Sequence, residues 1–126
     1  MAVEDGLALG VLLGRLNQCP ELMQRCTRLQ AIQDVLVLYE ALRKSRTTVS
    51  VRGAISMQDF FHLEDGPDQV YRDSILEGYA CSQTWPPDCR WNWGDGSYQR
   101  ELLGFDVVED ANAAFDRWRK YRACSR

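Results

Sequence analysis

Histidine is nearly absent from this chain: His62 is the single one among 126 residues. A metal centre built on it needs companions from Cys81, Cys89, Cys124 or the acids, and none stands at ligand spacing. The residue order supports no Ser-His-Asp arrangement, so His62 is expected to be structural or exposed. Long apolar runs are also missing. None approaches the roughly 20 residues of a membrane span, and Glu4 and Asp5 stand where a secretory signal carries its basic residues. Basic charge does not dominate: 15 Lys and Arg face 18 Asp and Glu, for a net charge of −3. That balance gives no electrostatic case for nucleic acid. No C-x-x-C occurs among the five cysteines, Cys19, Cys26, Cys81, Cys89 and Cys124. An odd count at such spacings fits reduced thiols in a cytoplasmic protein, with a Cys81–Cys89 bridge as the alternative.

The apolar positions recur at helical spacing, and no segment reads as a strand. A first helix is expected over residues 1–16. Val3, Leu7, Leu9, Val11, Leu12, Leu13 and Leu16 make it apolar around most of its circumference, the pattern of a buried helix. Pro20 opens a short segment reaching Arg25. A long helix or collinear pair is expected over 29–61. Leu29, Ile32, Leu36 and Tyr39 share one face there, widened by Val35, Leu38 and Leu42. Val49, Gly53, Met57 and Phe60 continue it, and the cluster Thr47-Thr48-Val49 is the weakest helix-forming stretch. Asp65-Gly66-Pro67 is a turn, and Pro67 starts a helix over 67–79 with Val70, Ile75, Leu76 and Tyr79 inward. Residues 81–98 form a loop rich in Trp, Pro and Gly. A short helix is expected from Tyr98 to Leu103. Asp106 then caps a last helix over 107–121, with Ala111, Ala114, Phe115 and Trp118 inward.

Within the first helix, Ala2, Gly6, Gly10 and Gly14 fall on one stripe at a spacing of four. Each interior Gly costs roughly 1 kcal/mol of helix propensity relative to Ala. Three on one stripe imply a close neighbour on that face. Glu4 and Asp5 are adjacent, so their side chains diverge by about 100° and do not form an acid/base pair. They suit the helix N-terminus electrostatically. Arg43, Lys44 and Arg46, with Glu40 nearby, read as exposed pairs of small energetic worth. Trp85, Trp91, Trp93 and Trp118 fit burial that pins the irregular loop to the helical body better than a stacking platform for a carbohydrate or base. Composition and spacing alone therefore describe a helical chain with no acid, base or nucleophile set. No catalytic, cofactor-binding or metal residue is assigned.

Four stretches, in order, resemble one family. Met1 to Leu13 resembles the helix that follows the flavin-contacting loop in FAD-dependent aromatic-ring monooxygenases. Tyr39-Glu40-Ala41-Leu42-Arg43-Lys44-Ser45-Arg46 resembles the Tyr-Glu-x-x-Arg-x-x-Arg stretch of the same enzymes. Residues 61–73 and 91–106, the latter with Leu102-Leu103-Gly104-Phe105-Asp106, resemble their fungal salicylate hydroxylase-like branch. The resemblance implies a mainly α fold: the C-terminal helical segment of a larger α/β FAD-dependent hydroxylase, without its dinucleotide-binding sheet. It implies one helical segment over 1–126, with 1–16 a helix of the former FAD domain. In the complete family protein FAD and NAD(P)H hydroxylate an aromatic substrate. This chain lacks the dinucleotide-binding glycines and the Gly-Asp motif, so no cofactor is expected to bind it tightly. Met1 and Ala2 would lie near the flavin only in a complete protein. The implied partners are the missing N-terminal FAD domain or a full-length homologue. The alternative is a stand-alone helical module that dimerises through Ala2, Gly6, Gly10 and Gly14.

Overall fold

Helix-forming periodicity and well-placed stop signals organise the described residues into six helices. The computed structural model describes residues 1–25 and 27–124, with side chains for 1–22 and 27–122. The elements are α1 (Ala2–Asn17), α2 (Pro20–Arg25), α3 (Arg28–Phe61), α4 (Pro67–Ser82), α5 (Gly96–Leu103) and α6 (Val107–Cys124). Among the described residues there is no strand, so the fold is mainly α. The expected element spans lie close to those observed, while Cys26 and the side chain of Cys124 lie outside the described residues. Cys19, Cys81 and Cys89 are free thiols.

The stop signals act through identifiable backbone groups. Pro67 opens α4, where its missing N–H costs no helical hydrogen bond. Asp106 Oδ1 accepts from the amides of Val108 and Glu109, both at 3.0 Å, satisfying two donors of the first turn of α6. The weak stretch in α3 does not break it. Thr47 Oγ1 donates to the Arg43 carbonyl at 2.9 Å and Thr48 Oγ1 to that of Lys44 at 2.7 Å, a back-bond that spares the hydroxyls a loss of hydrogen bonding.

The chain folds as two compact units: Met1–Thr48 together with the segment from Asp106 onward, and Val49–Phe105. In the first, α1 packs along α6. Its core holds Leu12, Leu16, Cys19, Leu22, Ala31, Val35, Ala111 and Phe115, with Val11, Leu13, Leu38, Leu42 and Trp118 packed around them. Each fully buried Leu or Phe of this set contributes on the order of 1.5–3 kcal/mol of transfer free energy. Polar contacts flank the core. Arg15 Nη1 donates to Asn112 Oδ1 at 2.8 Å and Nη2 pairs with Asp116 at 2.5 Å, while its guanidinium lies 5.0 Å from the Phe115 ring centre. Arg122 pairs with Asp34.

Two expectations about faces need correction here. Leu29 and Leu36 are exposed, and the seam of α3 runs through Ala31 and Val35 instead. Ala31 and Val35 are smaller, so the helix approaches its neighbours along that line and the leucines turn outward. Helix α1 is not buried all round: Ala8, Leu12 and Leu16 are covered, whereas Val3 and Leu7 are exposed.

The second unit is held by aromatic rings. Phe60, Ile75 and Trp91 are buried, with Leu63, Leu76, Trp85 and Cys89 against them. Phe60 meets Trp91 edge-on with ring centres 5.2 Å apart, and Tyr79 meets Trp85 in the same way at 5.5 Å. Trp85 Nε1 donates to the Trp91 carbonyl at 2.8 Å, so the loop is pinned by a satisfied polar atom as well as by burial. Gly94 makes room for this: a Cβ there would lie 2.0 Å from the Trp85 ring. Val70, expected inward, is exposed, because α4 presents Ile75 to the rings instead. Asp95 starts α5 two to three residues earlier than the sequence suggests. Its side chain accepts from the amides of Ser97 and Tyr98, which the flanking glycines had masked as a plain loop.

Candidate functional site

The first turn of α1 and the middle of α3 bring four charged side chains together. Glu4 and Asp5 sit one residue apart on α1. Arg43 and Arg46 sit three apart on α3, on the face that also carries Val35, Tyr39 and Leu42. Arg43 Nε donates to Asp5 Oδ1 at 2.7 Å and Nη2 to Glu4 Oε2 at 2.9 Å. Arg46 Nε and Nη2 reach the two oxygens of Glu4 at 3.3 and 3.2 Å. The guanidiniums are covered, with side-chain exposures of 5% for Arg43 and 9% for Arg46, while Glu4 and Asp5 retain 24% and 30%.

The sequence expectation for the arginines is overturned, whereas Glu4 and Asp5 lie in the first turn of α1 as expected. The carboxylates diverge from the helix axis, yet a guanidinium is wide enough to take one on each side, so they converge on Arg43. The arginines are not exposed pairs of small worth; only Lys44 of that run is exposed. A signal was present in the sequence. Arg43 and Arg46 continue the inward stripe of α3 at spacings of four and three, so they fall on its buried side.

The electrostatics follow from this geometry. The hydrogen bond from Arg46, then that from Arg43 with the charge of both, hold the Glu4 carboxyl below its ordinary value, against the opposing effect of its partial burial. Burial pulls the Arg43 guanidinium down, but the hydrogen bonds and charges of Asp5 and Glu4 outweigh it and leave it above its ordinary value. So held, the Glu4 carboxylate favours its ionised form. One polar atom is left over: Arg43 Nη1 is buried and has no hydrogen-bond partner. The arrangement is a clamp that fixes the start of α1 against α3.

Around the clamp, Met1, Ala2 and Val3 are exposed, and no side chain caps the α1 N-terminus. The glycines of the small-residue stripe meet no close neighbour among the described residues. A Cβ at Gly6, Gly10 or Gly14 would find no atom within 4 Å, so the close neighbour implied by the stripe is not any described part of this molecule. His62 is exposed, and among the described residues no group of three or more His, Cys, Asp and Glu is gathered in metal-binding fashion. Among the described residues no helix is long and apolar enough to cross a membrane.

No protein-family model matches this chain, and no solved structure matches it. It is similar to a curated protein of the fungus Beauveria bassiana (strain ARSEF 2860), the FAD-dependent monooxygenase OpS4. The two are 31% identical over 120 residues, which make up 90% of this chain and 23% of that protein. The chain therefore spans less than a quarter of the length of the relative it matches.

Proposed function

We propose that this chain is the C-terminal helical part of an FAD-dependent monooxygenase that hydroxylates an aromatic substrate, and that it is not catalytic alone. The observation that carries the reading is the 120-residue match to an FAD-dependent monooxygenase, which takes in nearly all of this chain. The four motif stretches add support for an aromatic-ring hydroxylase using NAD(P)H. They alone argue for the salicylate hydroxylase-like branch, since the relative's name specifies no substrate. The free thiols Cys19, Cys81 and Cys89 favour a cytoplasmic setting. When bound, FAD would supply the oxygen-activating chemistry, and the protein would position ring and cofactor. The residues that fit a flavin here amount to one uncapped helix start, which offers free amides to an electron-rich group. The clamp from Arg43 and Arg46 holds that helix start in place. Without a dinucleotide-binding sheet this is not a cradle, so flavin titration of the isolated chain should give no saturable micromolar quenching. The reading itself is tested by the mass of the native protein, detected with an antibody against α6. A species several times larger than 14.5 kDa supports it, and one at 14.5 kDa refutes it.

The open stripe of α1 favours a second reading: a stand-alone module that dimerises through Ala2, Gly6, Gly10 and Gly14, or docks on a full-length homologue or separate FAD domain. Sedimentation at high concentration separates this from the first reading. A dimer abolished by Gly10→Leu supports it, and a monomer throughout removes the dimeric form.

A further inference from the structure

The Val49–Phe105 unit carries a second polar gathering, unrelated to the clamp. Arg52 and Ser56 of α3, Arg90 and Asn92 of the loop, and Tyr98 of α5 line a groove of about 420 Å³. Arg52, Ser56 and Arg90 also line a second groove of about 400 Å³, so they stand on the divide between the two. A space of this size lies within the range of small-molecule sites, roughly 300–1,000 Å³.

Apart from Arg90, the donors in this groove are unspent. Among the described residues the side chains of Arg52, Ser56, Asn92 and Tyr98 have no hydrogen-bond or ion-pair partner. Arg90 lies 4.1 Å from the Trp91 ring centre, which fixes its guanidinium plane, and its ion pair with Asp68 at 3.1 Å is open to water on both sides. An exposed pair of that kind is worth little and exchanges readily for another carboxylate. The position of Tyr98 is built in. A Cβ on Gly53 would lie 2.1 Å from its hydroxyl oxygen, so glycine lets the hydroxyl rest directly on α3. Glu101 also lines the groove and is not without a partner. With Asp68 on Arg90 and Glu101 in the lining, two guanidiniums face two carboxylates, and Arg52 is the guanidinium with no ion pair among the described residues.

We propose that this groove binds a small organic carboxylate. A planar two-oxygen group suits the guanidinium fork of Arg52 and can take the place of Asp68 on Arg90, whereas a phosphate dianion would meet more repulsion from Glu101 and Asp68. The Tyr98 hydroxyl and the Asn92 amide supply further donors. Val49 and the Tyr98 ring receive the apolar body. The site involves no flavin, so it stands or falls separately from the monooxygenase reading.

Calorimetric titration of the 126-residue chain with sodium benzoate, inorganic phosphate or sodium chloride at equal ionic strength tests it. Benzoate should saturate one site with a Kd of about 1 mM or tighter, as nine heavy atoms allow. Arg52→Gln and Tyr98→Phe should each weaken it about fivefold or more. Arg28→Gln, which removes the same charge far along α3, should leave it unchanged. Far-UV circular dichroism checks each variant, and Tyr98→Phe, which deletes one hydroxyl, decides if Arg52→Gln does not fold. Absence of saturation, an equal loss in Arg28→Gln, or phosphate binding as tight as benzoate overturns the proposal.

Discussion

Arg43 carries its charge almost without solvent, held by two carboxylates and with one nitrogen, Nη1, unpartnered among the described residues. Removing it strands Asp5 beside an apolar side chain and leaves Glu4 to Arg46 alone. Arg43→Met should destabilise the chain by about 2 kcal/mol, below the full cost of a broken buried pair because the carboxylates keep some water. Arg43→Lys should not restore it, since an ammonium cannot serve both acids in the fork geometry. Urea denaturation of the three proteins measures this. The same clamp sets a pH dependence. Glu4 is held below its ordinary value of 4.5 in the folded chain. Its contribution is therefore fully present above 4.5 and is lost as the pH falls through the lower, folded value. Melting temperature should drop in that acid window, and Glu4→Gln should flatten the drop while lowering stability at neutral pH.

At the scale of the element, helix ends were easier to read than helix faces. Pro67 and Asp106 announce α4 and α6 because each acts on backbone groups within its own turn. The seam of α3 was not legible from Leu29 and Leu36, because which side a long apolar helix buries depends on its neighbours and not on its own periodicity. The convergence of Glu4 and Asp5 on Arg43 spans 38 residues or more of sequence, and no local spacing announces it. Asp95 was missed as a cap because the glycines on either side also fit a loop. Two substitutions test what was legible. Asp106→Ala should cost about 1 kcal/mol by freeing two amides of α6, and Asp106→Asn much less. Gly10→Ala meets no atom within 4 Å and no unusual backbone angle. It should raise the stability of the isolated chain by about 0.5–1 kcal/mol through helix propensity. If the stripe is covered in the complete protein, the same change lowers the yield of that assembly, and comparing the two backgrounds reveals the covering surface.

Over the whole molecule, apolar side chains remain in contact with water along several elements: Val3 of α1, Leu29 and Val37 of α3, Val70 of α4 and Leu103 of α5 are each more than 60% exposed. A surface of this kind associates. Sedimentation velocity should show species above 14.5 kDa whose share grows with concentration, and Leu29→Lys with Val37→Lys should reduce them; a monomer at every concentration would contradict this. The pairing of α1 with α6 has a consequence for biosynthesis. Arg15 and its partner Asp116 are 101 positions apart, so the first helix leaves the ribosome long before its counterpart exists. At about 5–20 residues per second, that interval lasts roughly 5–20 s. Throughout it Leu12 and Leu16 lack their final packing, whereas the contacts among Phe60, Ile75 and Trp91 close over a much shorter stretch and can form first. Premature termination after Phe105 would then leave the aromatic unit able to fold while Leu12 and Leu16 lack their cover from α6, a nascent chain marked for chaperone capture.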